Sequence, residues 1–164
     1  MDIFRGAERL MVMDDATWAR HANPWSVWTR FSCLPLLVLG IWSRDWIGWW
    51  ALVPVAAALL WTWLNPRVFA PPARLDTWPG FATRGERLFL NRHAVPIPRH
   101  HLLAAYLLTG LTALGAMILL WGVVWLDVWS TMTGLALTMV LKVWFCDRMA
   151  WLYLDLRSTA GSGS

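Results

Sequence analysis

Residues 21–30 read HANPWSVWTR and residues 61–67 read WTWLNPR, and between them two apolar segments are separated by the break SRDW at residues 43–46. Asn23-Pro24 enters the first segment and Asn65-Pro66 leaves the second, so a helical hairpin brings both Asn-Pro pairs to one membrane surface. Tryptophans flank both pairs, as expected where a flat amphipathic ring sits between headgroups and hydrocarbon.

The spans follow from length. Pro24 to Trp42 gives nineteen residues, about 28 Å of helix, close to the ~30 Å hydrocarbon thickness. Its one charge, Arg30, lies near enough to the segment's start to snorkel to the interface. Pro35 is expected to kink this helix. Ser43-Arg44-Asp45 reads as a tight turn, and Trp46 to Leu64 as a second span without charge.

Before the hairpin, residues 1–20 alternate charged and apolar side chains and do not make a cleavable secretory signal. Asp14 or Asp15 suits the cap of a short helix, with Phe4, Leu10 and Met11 resting on the membrane. After the hairpin, residues 65–101 carry five prolines beyond Pro66 and six arginines without a long apolar run. This is an extramembrane loop, in which GFATRGERLFLNR suggests a helix lying flat, with Phe81, Leu88 and Phe89 toward lipid and Arg84 and Arg87 toward headgroups. Leu102 to Leu126 forms a third span, Asp127 a turn, and Val128 to Cys146 a fourth, its helix continuing through DRMAWLYLDL. The Gly-Ser tail from Ser158 is expected to be disordered.

Composition agrees. Apolar residues make up 58% of the chain and charged residues 15%, against about 25% charged in soluble domains. Fifteen tryptophans in 164 residues point to many interface anchors. Thirteen of the fourteen Lys and Arg fall on the side of the termini and long loop when Arg30 and Lys142 are assigned to their nearer end, with only Arg44 opposite. The positive-inside tendency then places both termini and the long loop on the cytoplasmic side, with the cytoplasmic (inner) membrane as the expected location. The net charge of +4 is attractive to anionic headgroups on that face and gives no reason to invoke nucleic acid.

The expected architecture is all-α: a polytopic membrane protein with four transmembrane helices in two hairpins and a short cytoplasmic interfacial helix. Its parts are an N-terminal segment 1–23, a first hairpin 24–64, a basic loop 65–101, a second hairpin 102–146 and a C-terminal extension 147–164. Ser130, Gly134, Thr138 and Lys142 form a small, polar stripe on the fourth span, facing Ala105, Thr109, Thr112, Ala113 and Ala116 on the third; such stripes are mainly packing devices.

Polar chemistry collects at the cytoplasmic ends. Asn23, Arg30, Asn65, Arg67, Glu86, Arg87, Asp147 and Arg148 are the candidate ligand-binding residues, since arginine forks and asparagine amides suit a phosphate or carboxylate. The plainer account has Arg30 and Arg67 on lipid phosphates, the asparagines as caps and Asp147 paired locally. His21, His93, His100 and His101 are weaker metal candidates: their spacing fits no standard ligand set, and adjacent helical histidines diverge. Haem is disfavoured because no histidine lies mid-span. Cys33 and Cys146 fall in apolar segments and read as small buried hydrophobes. No nucleophile elbow or phosphate-cradling loop occurs. Glu86-Arg87 is the best acid/base pair, equally explained as charge exposed on a surface helix.

At HANPWSVWTR, WTWLNPRVFAPP and GERLFL the chain resembles a family of small integral membrane proteins of bacteria and archaea with no established activity. The resemblance covers residues 17–92 and implies a multi-span membrane protein; it transfers no catalytic residue and identifies no cofactor. The leading functional expectation is a non-enzymatic accessory or assembly subunit, in a homo-oligomer or larger membrane complex. The alternatives are an enzyme or anionic-ligand-binding protein with a cytoplasm-facing pocket, and a small transporter or channel.

Overall fold

The computed structural model describes residues 17, 18, 20 and 22–161, which contain helices and no strand. Three helical stretches are long and apolar enough to cross a membrane: Pro24–Val68, Arg99–Trp125 and Val128–Thr159. The expected helix of residues 1–20 lies almost wholly outside the described residues, as does His21.

The first stretch doubles back on itself. It comprises α1 (Pro24–Arg30), α2 (Cys33–Trp42), the single turn α3 (Arg44–Ile47), a 3-10 turn Gly48–Ala51, and α4 (Leu52–Val68). Pro35 acts earlier than expected. Its ring crowds the carbonyl four residues back, at Phe31, and it has no N–H to bond there; helix α1 therefore ends at Arg30 and α2 restarts at Cys33. The reversal falls at Gly48, with φ +55°, rather than at Ser43-Asp45. Gly48 alone in this stretch takes that conformation without a Cβ penalty. The returning arm packs closely: a Cβ on Gly40 would sit 3.1 Å from the Val55 nitrogen. Asn65-Pro66 does not stop α4, which runs one more turn to Val68.

α5 (Trp78–Leu90), α6 (Arg99–Trp125) and α7 (Val128–Gly161) form the second body. α6 and α7 are antiparallel and packed through small residues. A Cβ on Gly122 would fall 2.3 Å from the Thr131 nitrogen, and one on Gly134 2.2 Å from the Leu119 nitrogen. The stripe expected on α7 is therefore used at Gly134 and Thr138, but its partner on α6 is Gly115, Leu119 and Gly122. Ala113 and Ala116 are exposed and border a cleft beside Lys142. Helix α7 continues through residues 147–161, so Ser158 to Gly161 are helical rather than disordered.

α5 departs most from expectation. It runs antiparallel to the C-terminal half of α7, with Phe81 stacked on Tyr153 and Phe89 edge-on to Phe145. Phe89 is fully buried with Ala105, Leu108, Phe145, Met149 and Leu152. Glycine explains the approach, because Gly85 removes a side chain where α5 meets the α7 backbone at Met149, while Gly80 makes room for the chain at Leu75 just before α5.

The two bodies meet at both ends. Val38 of α2 packs on Leu119 and Val123, and Arg44 donates from Nη2 to the carbonyls of Val123 and Val124, opposing the negative end of the α6 dipole. At the other end Trp28 stacks on Trp78 at 5.9 Å. Eleven tryptophans are exposed, among them Trp46, Trp49, Trp50, Trp121, Trp125 and Trp129 around the Arg44 end. They face outward, as interface anchors do.

Candidate functional site

The hairpin carries a polar strand of contacts inside its apolar arms. Arg30 donates from Nη2 to Ser26 Oγ (3.0 Å), Ser26 Oγ donates to Asn65 Oδ1 (3.2 Å), and Asn65 Nδ2 donates to Thr29 Oγ1 (2.8 Å). Ser26 and Asn65 are fully buried. Each amide end of Asn65 therefore has a partner, which removes the desolvation penalty of burying it.

Arg30 turns from this network into a cleft of about 300 Å³ between the two bodies, lined also by Phe31, Cys33, Glu86, Lys142 and Cys146. Glu86 accepts the Lys142 ammonium at 3.6 Å, and Arg30 is within electrostatic reach of the same carboxylate. A second cleft of about 280 Å³ reaches this ion pair from the other side, between Thr109, Thr112, Ala113, Ala116 and Phe145. Glu86 was expected to be exposed on a flat-lying helix. Instead α5 packs on α7 and turns Glu86 inward, one turn before Phe89. Lys142, read from sequence as one member of a packing stripe, supplies its partner.

The remaining candidates lie elsewhere. Asn23 caps α1, accepting from the Trp25 N–H (2.9 Å), and donates to the Ala70 carbonyl (2.8 Å). Arg67 lies over the Trp63 ring, 4.1 Å from its centroid, and its carbonyl accepts from Arg20. Arg87 is exposed near the end of α5. Asp147 accepts from Trp78 Nε1 (2.9 Å). Arg148 donates to the His100 carbonyl (3.3 Å) and covers Trp151. The eight residues thus divide: Arg30, Asn65 and Glu86 gather around the cleft, and the other five do not join them.

The histidines also divide. His93 is exposed in the turn after α5. His100 and His101 do not diverge, because they stand at the first turn of α6, with ring centroids 4.2 Å apart. Both face Asp155, which stands fifty-four residues from His101 and so forms no local motif with it. Cys33 and Cys146 are free thiols.

The fold and site define a class: an all-α protein whose helices are long and apolar enough to cross a membrane, with an ion pair held between its two helical bodies. The chain belongs to DUF6653, a family of unknown function, whose model matches residues 5–164. The match extends through the second half, where no motif was recognisable. No curated protein and no solved structure matches the chain.

Proposed function

We propose that the protein is an inner-membrane protein with four crossings and cytoplasmic termini that binds an anionic amphiphile side-on, its acidic head at Lys142, Glu86 and Arg30. One observation carries this reading: two largely apolar clefts converge from opposite sides on one Lys-Glu pair. Lys142 is fourteen residues along α7 from Val128, about 21 Å of helix, and thus still inside a ~30 Å hydrocarbon layer. Ionisable groups at that depth are costly and mark ligand or ion sites by default. Lys142 has three ammonium donors, and Glu86 is its one ion-pair partner among the described residues. A phosphate or carboxylate would use the others, while Phe31, Leu34 and Met139 would hold an acyl chain.

The test is native mass spectrometry of the detergent-extracted chain with phosphatidylglycerol, phosphatidic acid or phosphatidylcholine of matched chain length. One anionic lipid per chain, lost in Lys142→Met, is expected. Equal retention of all three lipids overturns the reading.

A second reading, an accessory or assembly subunit, is favoured by the outward face of α6, where Gly110 meets open space amid exposed Leu107, Leu114 and Met117. Such a face permits close approach of another helix. A stoichiometric second protein in the same spectrum supports it.

A further inference from the structure

From the arrangement of His100, His101 and Asp155 we infer that the start of α6 and the end of α7 form a binding site for a divalent first-row transition metal ion, of which zinc is the probe. It is separate from the Lys142 cleft and does not depend on what that cleft binds.

His101 Nε2 lies 3.3 Å from Asp155 Oδ2, and His100 Nε2 lies 4.0 Å from the same oxygen. One ligand atom from each of the three residues lies within 4.8 Å of the others. As direct hydrogen bonds these contacts are poor, since N–H···O bonds centre near ~2.9 Å. As ligand separations they fit better. Two donors each about 2.0–2.2 Å from a tetrahedral ion stand roughly 3.3–3.6 Å apart; the His101–Asp155 pair already has that separation, and rotation of the exposed His100 ring closes the remaining gap.

The chemistry of the donors selects the ion. Two imidazoles and one carboxylate suit zinc, iron, nickel or copper, whereas calcium and magnesium take oxygen ligands. The site is also built rather than merely crowded. His101 is only 1% exposed, wedged edge-on against Trp151, and Asp155 is held by the same rigid α7. The His101 Nδ1 atom has no hydrogen-bond partner, so the ring is positioned by packing and by its Nε2 contact with Asp155. The neighbouring cation, Arg148, is engaged by the His100 carbonyl and the Trp151 ring.

Access is open from water. Asp155 is twenty-seven residues from Val128, about 40 Å along α7 and beyond a ~30 Å hydrocarbon layer. The His100 side chain is exposed, leaving room for water to complete the coordination shell. A bound ion would tie α6 to the projecting part of α7.

The experiment uses the full chain, free of any affinity tag, purified in detergent and treated with chelator, then titrated with zinc by calorimetry. One zinc per chain is expected, with affinity falling below about pH 6.5 as protons compete for imidazole. His100→Gln and Asp155→Asn should each weaken binding at least tenfold, and His93→Gln should leave it unchanged. Circular dichroism checks that the variants keep their helix content, which exposed His100 makes a safe expectation. Absence of stoichiometric zinc, or wild-type affinity in either His100→Gln or Asp155→Asn, overturns the inference.

Discussion

A Cβ placed on Gly85 falls 1.8 Å from the carbonyl oxygen of Met149, so α5 and α7 touch backbone to backbone at that point. No rotamer relieves such an overlap; the helices must separate. Gly85→Ala should therefore destabilise the protein by about 3 kcal/mol or more, at the upper end of overpacking costs. Gly110→Ala, where the Cβ meets nothing within 4 Å, is the control and should be neutral or mildly stabilising through helix propensity. Thermal melts in one detergent read both.

The Lys142–Glu86 pair makes a double-mutant prediction. Glu86→Gln leaves Lys142 and Arg30 without their shared carboxylate, and Lys142→Met leaves Glu86 to Arg30; each should cost about 1–3 kcal/mol, less than for a fully buried pair because Lys142 and Glu86 are partly open. The double variant should be more stable than the sum of the two single losses implies. Additive losses would show that the two groups are not coupled.

Asn65 is fully buried and bonded at both ends of its amide. Asn65→Leu removes two hydrogen bonds, leaving the Ser26 hydroxyl to Arg30 and the Thr29 hydroxyl to the Trp25 carbonyl, and should cost about 1–3 kcal/mol. Ser26→Ala should cost less, since Asn65 keeps its bond to Thr29. Chemical unfolding of the two variants in mixed micelles compares them.

Asp127 sits at the start of α7 and is held below the ordinary carboxylate range by hydrogen bonds from Ser130, side chain first and backbone N–H second (3.0 Å). A lowered folded-state pKa means stability that is present above the unfolded value, about 3.9, and lost as pH falls through the folded one. Asp127→Asn should keep the cap while flattening that acid dependence, and Asp127→Ala should lose both. Melting temperature between pH 6 and 3 distinguishes the three proteins.

Helix positions were legible in the sequence because span length, proline and tryptophan placement each act locally. Misplaced features depended on contacts between distant elements. Nothing in TRGERLFLNR beyond Gly85 says that α5 packs on α7, because its apolar face suits lipid and a neighbouring helix equally well. Glu86 and Lys142 were both visible, but fifty-six residues apart and on elements not expected to touch. Asp155 is silent in the sequence for the same reason, as is the Gly115, Leu119 and Gly122 seam, where a mixed small-large pattern is less conspicuous than the run of Thr and Ala that borders the Lys142 cleft.

Arg44 on the α6 carbonyls and Trp28 on Trp78 join the two helical bodies at opposite ends, with the Lys142 cleft between these joints. On the proposed four-crossing reading, the opening is a window with a fixed sill and lintel that faces sideways into the plane of the bilayer. A molecule using it would arrive by two-dimensional diffusion without the ends of the bundle parting. Occupancy would then follow the mole fraction of that molecule among the surrounding lipids, and diluting the aqueous phase would leave it unchanged.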